Sequence, residues 1–169
     1  VTEVKQKSGL IWLVLSLLLF AVDYITKAVV VANMKLYESI EILPIFNFTY
    51  MHNYGAAFSF LSDAGGWQRW FFSSIAVVIS LLLTYWLKKL PAKNWVLCGA
   101  YSMVIGGAIG NLVDRLVHGY VVDFLHFYYQ DWHYPAFNVA DIAIVCGAGL
   151  LLLDAFTGEG ADGSQEKKA

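Results

Sequence analysis

Four long apolar stretches separated by polar segments set the pattern of this chain. An apolar run of about 18 residues or more can form a helix that crosses a bilayer. The pattern therefore predicts an all-α membrane protein with four transmembrane helices. A cleaved signal peptide is the alternative for the first stretch, but Asp23 and Lys27 stand where its small-residue cleavage site would lie. The stretches run from Gly9 to Ala32, from Trp70 to Leu87, from Asn94 to Val113 and from Pro135 to Asp154.

Basic residues in the polar segments predict how the helices are oriented. Short loops rich in lysine and arginine stay on the cytoplasmic side. The basic residues before the first stretch, between the second and third, and after the fourth would share one side if four helices alternate in direction. We therefore expect both termini to be cytoplasmic. These residues are Lys5, Lys7, Lys88, Lys89, Lys93, Lys167 and Lys168.

Two segments fall on the opposite, outer side. Within residues 35–66, the segment Pro44–Met51 has the aromatic and β-branched content and the alternation of a strand, which predicts a small β-sheet there. Gly55 permits a backbone turn after this strand. Residues 117–135 are rich in Tyr and Trp, which favour the headgroup layer, so we expect an interfacial segment.

Composition narrows the class of protein. Hydrophobic residues make up 59% of the chain and charged residues 14%, with a mean hydropathy of +0.59. The formal net charge of -2 and the absence of a basic patch in the outer segments argue against a nucleic-acid partner. We expect one membrane-embedded domain over residues 1–156 and a disordered tail over 157–169, which has no apolar face.

Polar residues within the predicted helices converge on one membrane face. The alternating topology places each of them near the outer end of its helix, which favours a site over a transmembrane proton relay. Simpler explanations remain open: Asp23 and Lys27 are spaced to pair on one helix, and Arg115 can extend to the headgroups. The converging residues are Asp23, Lys27, Asn111, Asp114, Arg115 and Asp141.

Other residues suggest alternative roles, which are helix packing, zinc binding and serine hydrolysis. The small residues of Gly106-Gly-Ala-Ile-Gly110 are typical of close helix packing. Four histidines, at positions 52, 118, 126 and 133, lack the spacing of a zinc motif. Ser59 and Ser62 have no obvious general base except Lys27, so a Ser-Lys hydrolase is a distant alternative.

Asp123 and Asp141 are the strongest candidates for chemistry. Asp123 lies within Val121-Val-Asp-Phe-Leu125, and Asn138 stands three residues before Asp141. Carboxylates in weakly solvated surroundings are costly to ionise, and two of them tend to share a proton. An ordinary loop carboxylate and a helix N-terminal acid remain the simpler interpretation by position alone.

Five sequence blocks resemble the bacterial lipoprotein signal peptidases, or signal peptidase II family. They occur in order over nearly the whole chain apart from its two tails, and together they are highly specific. The blocks are Asp23-Tyr-Ile-Thr-Lys27, Asn53-Tyr-Gly-Ala-Ala-Phe58, Gly106-Gly-Ala-Ile-Gly-Asn-Leu-Val-Asp-Arg115, Val122-Asp-Phe124 and Ala136-Phe-Asn-Val-Ala-Asp141.

The resemblance implies an aspartic endopeptidase of the inner membrane, with Asp123 and Asp141 as catalytic pair and no metal or other cofactor. Its substrates would be prolipoproteins with a diacylglyceryl cysteine, cut at the periplasmic face by a monomer surrounded by membrane lipids. We expect residues 53–66 to cover the site partly as a flap. A proton transporter and a non-cleaving lipoprotein-binding protein are the competing classes. The resemblance and the converging polar positions mark as supporting residues Asp23, Lys27, Asn53, Gly55, Asn111, Asp114, Arg115 and Asn138.

Overall fold

A computed structural model describes residues 7–55 and 65–157, which form four long helices and one small antiparallel sheet. A 3-10 turn, Gly9–Trp12, leads into the first helix. The flap predicted over residues 53–66 lies mostly outside the described residues, as does the tail after Thr157. The helices are α1 (Leu13–Asn33), α2 (Trp67–Lys89), α3 (Trp95–His118) and α4 (Val139–Thr157). The strands are β1 (Ser39–Leu43), β2 (Phe46–Asn53), β3 (Val121–Tyr129) and β4 (Trp132–His133).

All four helices are long and apolar enough to cross a membrane, as the apolar stretches predict. The fourth begins at Val139 rather than Pro135, because residues 135–138 run along β3 before the helix starts. Helix α3 is the centre of the bundle: 56% of its apolar window is buried, against 17% for each of the other three. It packs against α1, α2 and α4.

Glycines of α3 allow this central packing. A Cβ atom added at Gly106 would lie 2.8 Å from the carbonyl oxygen of Ser16 in α1, and one at Gly107 would collide with the carbonyl oxygen of Ala140 in α4. Contacts this short leave no room for a side chain. The packing interpretation of this glycine-rich block is therefore confirmed.

The sheet has the strand order β1-β2-β3-β4. Strand β2 confirms the strand predicted around Pro44–Met51, whereas β3 and β4 occupy a segment for which the aromatic content predicted only an interfacial location. The alternating β-branched and aromatic residues of Val121–Tyr129 are also typical of a strand. These residues form a strand because β2 provides an edge with which they pair.

An apolar cluster joins the sheet to the end of α1. Val30 of α1 packs with Tyr50 of β2 and with Val122 and Phe124 of β3. The register of β2 against β3 shifts between Phe48 and Met51, where β2 carries an extra residue. The bulge lets Tyr50 join this cluster while Met51 pairs with Asp123 farther along the strands. The sheet therefore presents Asp123 near the end of the helical bundle.

Candidate active site

The two aspartates come from different elements that meet above α3. Asp123 is the third residue of β3, and Asp141 lies in the first turn of α4. Asn138, which directly precedes α4, contacts both. Its Nδ2 donates to Asp123 Oδ1 at 2.7 Å, its backbone N–H donates to Asp141 Oδ2 at 3.2 Å, and its Oδ1 accepts from the Asp141 N–H at 2.9 Å. One asparagine thus holds both carboxylates in one site.

Asp123 is almost completely removed from solvent, with 2% of its surface exposed. Asn53 of β2 donates from Nδ2 to Asp123 Oδ2 at 2.9 Å. Burial, and next the nearby charge of Asp141, raise the pKa of Asp123 to about 7, against the opposing effects of Asn53, Asn138 and Lys27. This carboxyl group therefore retains a proton up to nearly neutral pH.

Asp141 is the member of the pair that lines a cavity. Asn111 of α3 donates from Nδ2 to Asp141 Oδ1 at 2.8 Å. The second donor to this carboxylate is the Asn138 N–H, so both aspartates accept hydrogen bonds from asparagine amides.

A second group of buried charges lies beside the pair. Lys27 Nζ is 2.8 Å from Asp23 Oδ2 and 3.0 Å from Asp114 Oδ2. The same ammonium donates to Asn111 Oδ1 at 3.0 Å. The predicted pairing of Asp23 with Lys27 is confirmed, and Asp114 completes a triad of charges. Asn111 connects this charged triad to Asp141.

The charged triad also holds the backbone that carries the aspartates. Asp23 Oδ1 accepts the Ala140 N–H at 2.8 Å, next to Asp141, and Asp114 Oδ2 accepts the Val122 N–H at 3.0 Å, next to Asp123. Sequence reasoning missed both amides, because a backbone donor has no signature in the side-chain pattern. The contacts fix the start of α4 and the start of β3 relative to α1 and α3.

Arg115 is buried rather than extended to the membrane surface, with 9% of its surface exposed. Its Nη2 donates to the carbonyl oxygen of Gly55 at 2.9 Å, and the Gly55 N–H donates to Asn53 Oδ1 at 3.0 Å. The headgroup interpretation of this arginine is therefore wrong. Arg115 instead holds the backbone just after β2 against α3.

A cavity of about 690 Å³ opens beside Asp141. Four polar residues line one part of it: Asn53, Asn111, Arg115 and Asp141. Most of the remaining wall is apolar, and it includes Trp132 and Tyr134, which the sequence pattern assigned to the headgroup layer. Only the return of the chain through β4 brings these aromatic side chains to the wall. The cavity can hold an extended apolar ligand with its polar end at Asp141.

The remaining candidate residues lie apart from this site. His126 Nε2 and His133 Nδ1 are 3.1 Å apart on the sheet, while the rings of His52 and His118 each stack with the ring of Tyr120. Ser59 and Ser62 lie outside the described residues. Buried charged side chains in the described helices gather around the aspartates instead of forming a series at different depths, as a proton relay requires.

Comparison with known proteins agrees with this arrangement. Residues 15–157 match the family model described as signal peptidase (SPase) II. A lipoprotein signal peptidase of Pseudoalteromonas translucida is 64% identical over 158 residues, which cover 94% of this chain and 95% of the relative. A lipoprotein signal peptidase of Shewanella pealeana is 58% identical, over 97% of this chain and 94% of the relative.

Solved structures show the same architecture. A bacterial membrane enzyme solved by the in meso method at 2.3 Å resolution superposes with a TM-score of 0.78 and 28% identity, covering 94% of this chain and 93% of that chain. A second, at 1.9 Å resolution, gives a TM-score of 0.73 and 29% identity, over 85% and 91% of the two chains. The four helices fit a multi-pass membrane protein, and the sequence matches extend through every element of the site. The chain therefore belongs to the signal peptidase II family of proteases.

Proposed function

We propose that this protein is an aspartic endopeptidase that removes signal peptides from diacylglyceryl-modified prolipoproteins, with Asp123 and Asp141 as its catalytic dyad. The observation that carries the proposal is the position of Asn138, which hydrogen-bonds both carboxylates. A side chain that contacts both acids keeps them close enough to compete for one proton. Such competition is the property on which aspartic proteases depend.

The reaction follows from one shared proton. The ionised member of the dyad accepts a proton from water as the water oxygen forms a bond to the scissile carbonyl carbon. The protonated member donates a hydrogen bond to the carbonyl oxygen, where negative charge develops. A proton then passes from the dyad to the leaving nitrogen as the carbon–nitrogen bond breaks. The two titrations belong to the pair rather than to either residue.

Supporting residues separate into two roles. Asn53, Asn111 and Asn138 orient the carboxylates through their amide groups. The charged triad of Asp23, Lys27 and Asp114 orients the backbone beside each catalytic residue. Gly55 and Arg115 close the site on the β2 side, where the guanidinium also favours negative charge on a substrate oxygen.

The cavity supports the choice of substrate. Its mainly apolar wall suits the signal segment and the acyl chains of a lipid-modified cysteine, and its polar end lies at Asp141. A cysteine anchored by acyl chains keeps the scissile bond near the membrane surface. A substrate that enters sideways from the bilayer would thus reach the dyad without leaving the lipid.

Placement in the inner membrane is part of the proposal. Lys7 and Lys88 meet where the N-terminal segment crosses the α2–α3 connection, since the Ala92 N–H donates to the Lys7 carbonyl and Ser8 Oγ donates to the Lys88 carbonyl. This basic end is cytoplasmic by the positive-inside rule. Both termini are then cytoplasmic, and the dyad with its sheet faces the periplasm as part of one domain that works as a monomer.

Cleavage of a purified diacylglyceryl prolipoprotein tests the dyad. Asp123→Asn and Asp141→Asn should each lower kcat by at least about a hundredfold, because each removes a group that transfers protons. Asp131→Asn changes an exposed carboxylate in the turn after β3 and is the matched control. A chelator should leave the wild-type rate unchanged. Cleavage by either dyad variant, or loss of wild-type cleavage with the chelator, would overturn the aspartic mechanism.

The orientation has a separate test. In a background without Cys98 and Cys146, single cysteines are introduced at Asp131 and at Lys93, both exposed and at opposite ends of the molecule in this topology. A membrane-impermeant thiol reagent added to intact spheroplasts should label position 131 and leave position 93 unlabelled until the cells are lysed. The reverse pattern would place the dyad on the cytoplasmic side.

A further inference from the structure

Tyr120 connects the two strands that carry Asn53 and Asp123. It directly precedes β3, three residues before Asp123. Its ring stacks on the ring of His52, with centroids 3.6 Å apart and planes at 17°. The same ring meets Tyr54 edge to face at 5.6 Å. His52 and Tyr54 are the residues on either side of Asn53. The Tyr120 ring therefore contacts both neighbours of Asn53 in the chain.

Asn53 is the donor from β2 to the dyad. Its Nδ2 contacts Asp123 Oδ2 at 2.9 Å, and its Oδ1 accepts the Gly55 N–H. Strand β2 ends at Asn53, so strand pairing supports this residue from one side only. The position of its amide therefore depends on what holds the residues around it. Tyr120 supplies that contact from the strand that bears Asp123 itself.

Surrounding groups keep His52 in the stack. Its Nε2 lies 2.9 Å from the hydroxyl of Tyr50. Burial, and next the nearby His118, lower the pKa of His52, so the ring is neutral at pH 7 and can accept the tyrosine proton. The ring of His118 also stacks with that of Tyr120, with centroids 5.6 Å apart. The aromatic cluster thus extends from the end of α3 to the end of β2.

We propose that Tyr120 is a positioning residue of the active site, which sets the hydrogen bond from Asn53 to Asp123 by holding His52 and Tyr54. The inference rests on the proposed function of Asp123. Tyr120 does not line the cavity described beside Asp141, and thus acts on the dyad without touching the bound substrate segment. Its loss should change catalysis and leave substrate binding nearly unchanged.

A shift in the pH dependence distinguishes positioning from general stability. The Asn53 amide favours the ionised form of Asp123, which also faces the charges of Asp141 and Lys27. Displacing this amide while the other groups stay in place raises the pKa of Asp123 further. The titration of the dyad, and with it the limb of the kcat profile that reports this titration, must then move to higher pH. Partial unfolding does not produce such a shift.

The test compares variants in the prolipoprotein cleavage assay over a range of pH. Tyr120→Leu removes the ring at nearly constant volume, and should lower kcat about tenfold or more with little change in KM. Tyr120→Phe keeps the ring and should restore most of the activity. Tyr128→Ala is the matched control, because it removes a tyrosine that stacks on a histidine at the far end of the same strand.

Asn53→Ala provides the reference for a displaced amide. Tyr120→Leu should shift the kcat profile in the same direction as Asn53→Ala, and the double variant should add little to Asn53→Ala alone. If Tyr120→Leu does not fold, His52→Leu removes the same stack from the other strand. An unchanged profile in both, or additive losses in the double variant, would overturn the role of Tyr120. Activity in Asp123→Asn would instead overturn the dyad.

Discussion

Two groups of buried carboxylates lie side by side in this protein and are stabilised differently. Asp23 and Asp114 share the ammonium of Lys27 at 2.8 and 3.0 Å. Asp123 and Asp141 accept hydrogen bonds mainly from asparagine amides, and among the described residues neither forms a salt bridge. The charge of an ammonium compensates a buried carboxylate directly, whereas a neutral amide offers a hydrogen bond and no opposite charge.

The contrast indicates a division of labour. Charges that are paired in a poorly solvated place stabilise the arrangement of α1, α3, β3 and α4, and they do so only while every partner remains. Carboxylates that are held without a counter-ion retain the capacity to accept and release a proton. The charged triad and the pair that we propose as catalytic are therefore adjacent but separate groups, and Asn111 is in contact with both.

The largest expected effect follows from removing the shared cation. Lys27→Met leaves Asp23 and Asp114 buried without a counter-ion, which should lower the free energy of unfolding by about 3 to 5 kcal/mol. Thermal unfolding in detergent, followed by tryptophan fluorescence, measures the change. Lys35→Met is the control, since Lys35 is exposed. Equal unfolding temperatures for the two variants would show that the charged triad does not stabilise the fold.

A smaller loss in the free energy of unfolding is expected when a side chain is introduced next to the charged triad of Asp23, Lys27 and Asp114. A Cβ atom at Gly110 would lie 2.5 Å from Asp23 Oδ2, so Gly110→Ala must displace this carboxylate, at a cost of about 1 to 3 kcal/mol. At Gly149, in α4, a Cβ atom would meet nothing within 4 Å. Gly149→Ala should therefore leave the unfolding temperature unchanged or raise it, and a comparable loss in both variants would contradict this account.

The Asp123–Asp141 pair, which we propose as catalytic, should respond in the opposite direction: loss of its charge should stabilise the folded protein. Because the pKa of Asp123 is raised to about 7 in the folded protein, the folded state holds a proton that the unfolded chain releases near pH 4. Stability from this group is thus complete below about pH 4 and is lost as the pH rises towards 7. Asp123→Asn removes the ionisation, although one amide donor loses its acceptor.

The Asp123→Asn variant should therefore be more stable than the wild type at pH 8, by about 1 kcal/mol, and no more stable at pH 4. Thermal unfolding at the two pH values measures the difference. Asp131→Asn, an exposed substitution, should show no such dependence. A stability difference between wild type and Asp123→Asn that is the same at both pH values would mean that Asp123 ionises without cost.

The smallest effect on stability is expected at a half-buried amide that hydrogen-bonds only the second group of carboxylates. Asn53→Ala removes the amide that donates to Asp123 and adds no charge. The free energy of unfolding should change by less than about 1 kcal/mol, whereas kcat should fall about tenfold or more because Asp123 loses a donor that holds it in place. Parallel losses of stability and activity would show that the two groups are not separable.

Much of the fold was predictable because its signals are local. Apolar length identifies each membrane helix, and β-branched and aromatic alternation identifies β2. The spacing of Asp23 and Lys27 predicts their ion pair, which depends only on helix geometry. Strands β3 and β4 were missed, since the same aromatic residues suit either a strand or the headgroup layer.

The details of the site were less accessible. The backbone N–H groups of Val122 and Ala140 donate to Asp114 and Asp23. No side-chain pattern in the sequence marks a backbone donor, and these bonds form only when distant elements meet. Trp132 reaches the cavity wall for the same reason. Such contacts depend on the relative positions of whole elements, and periodicity within one element carries no information about them.

By itself, the sequence determined that four helices are apolar enough to cross a membrane, that Asp23 and Lys27 are spaced so that they can pair, and which family the chain resembles. The tertiary structure decided which carboxylates are paired with a cation and which are held by neutral amides. The physical reason is range: hydrophobicity and helical spacing act within a segment, whereas the ionisation of Asp123 depends on burial and on partners from β2, α3 and α4.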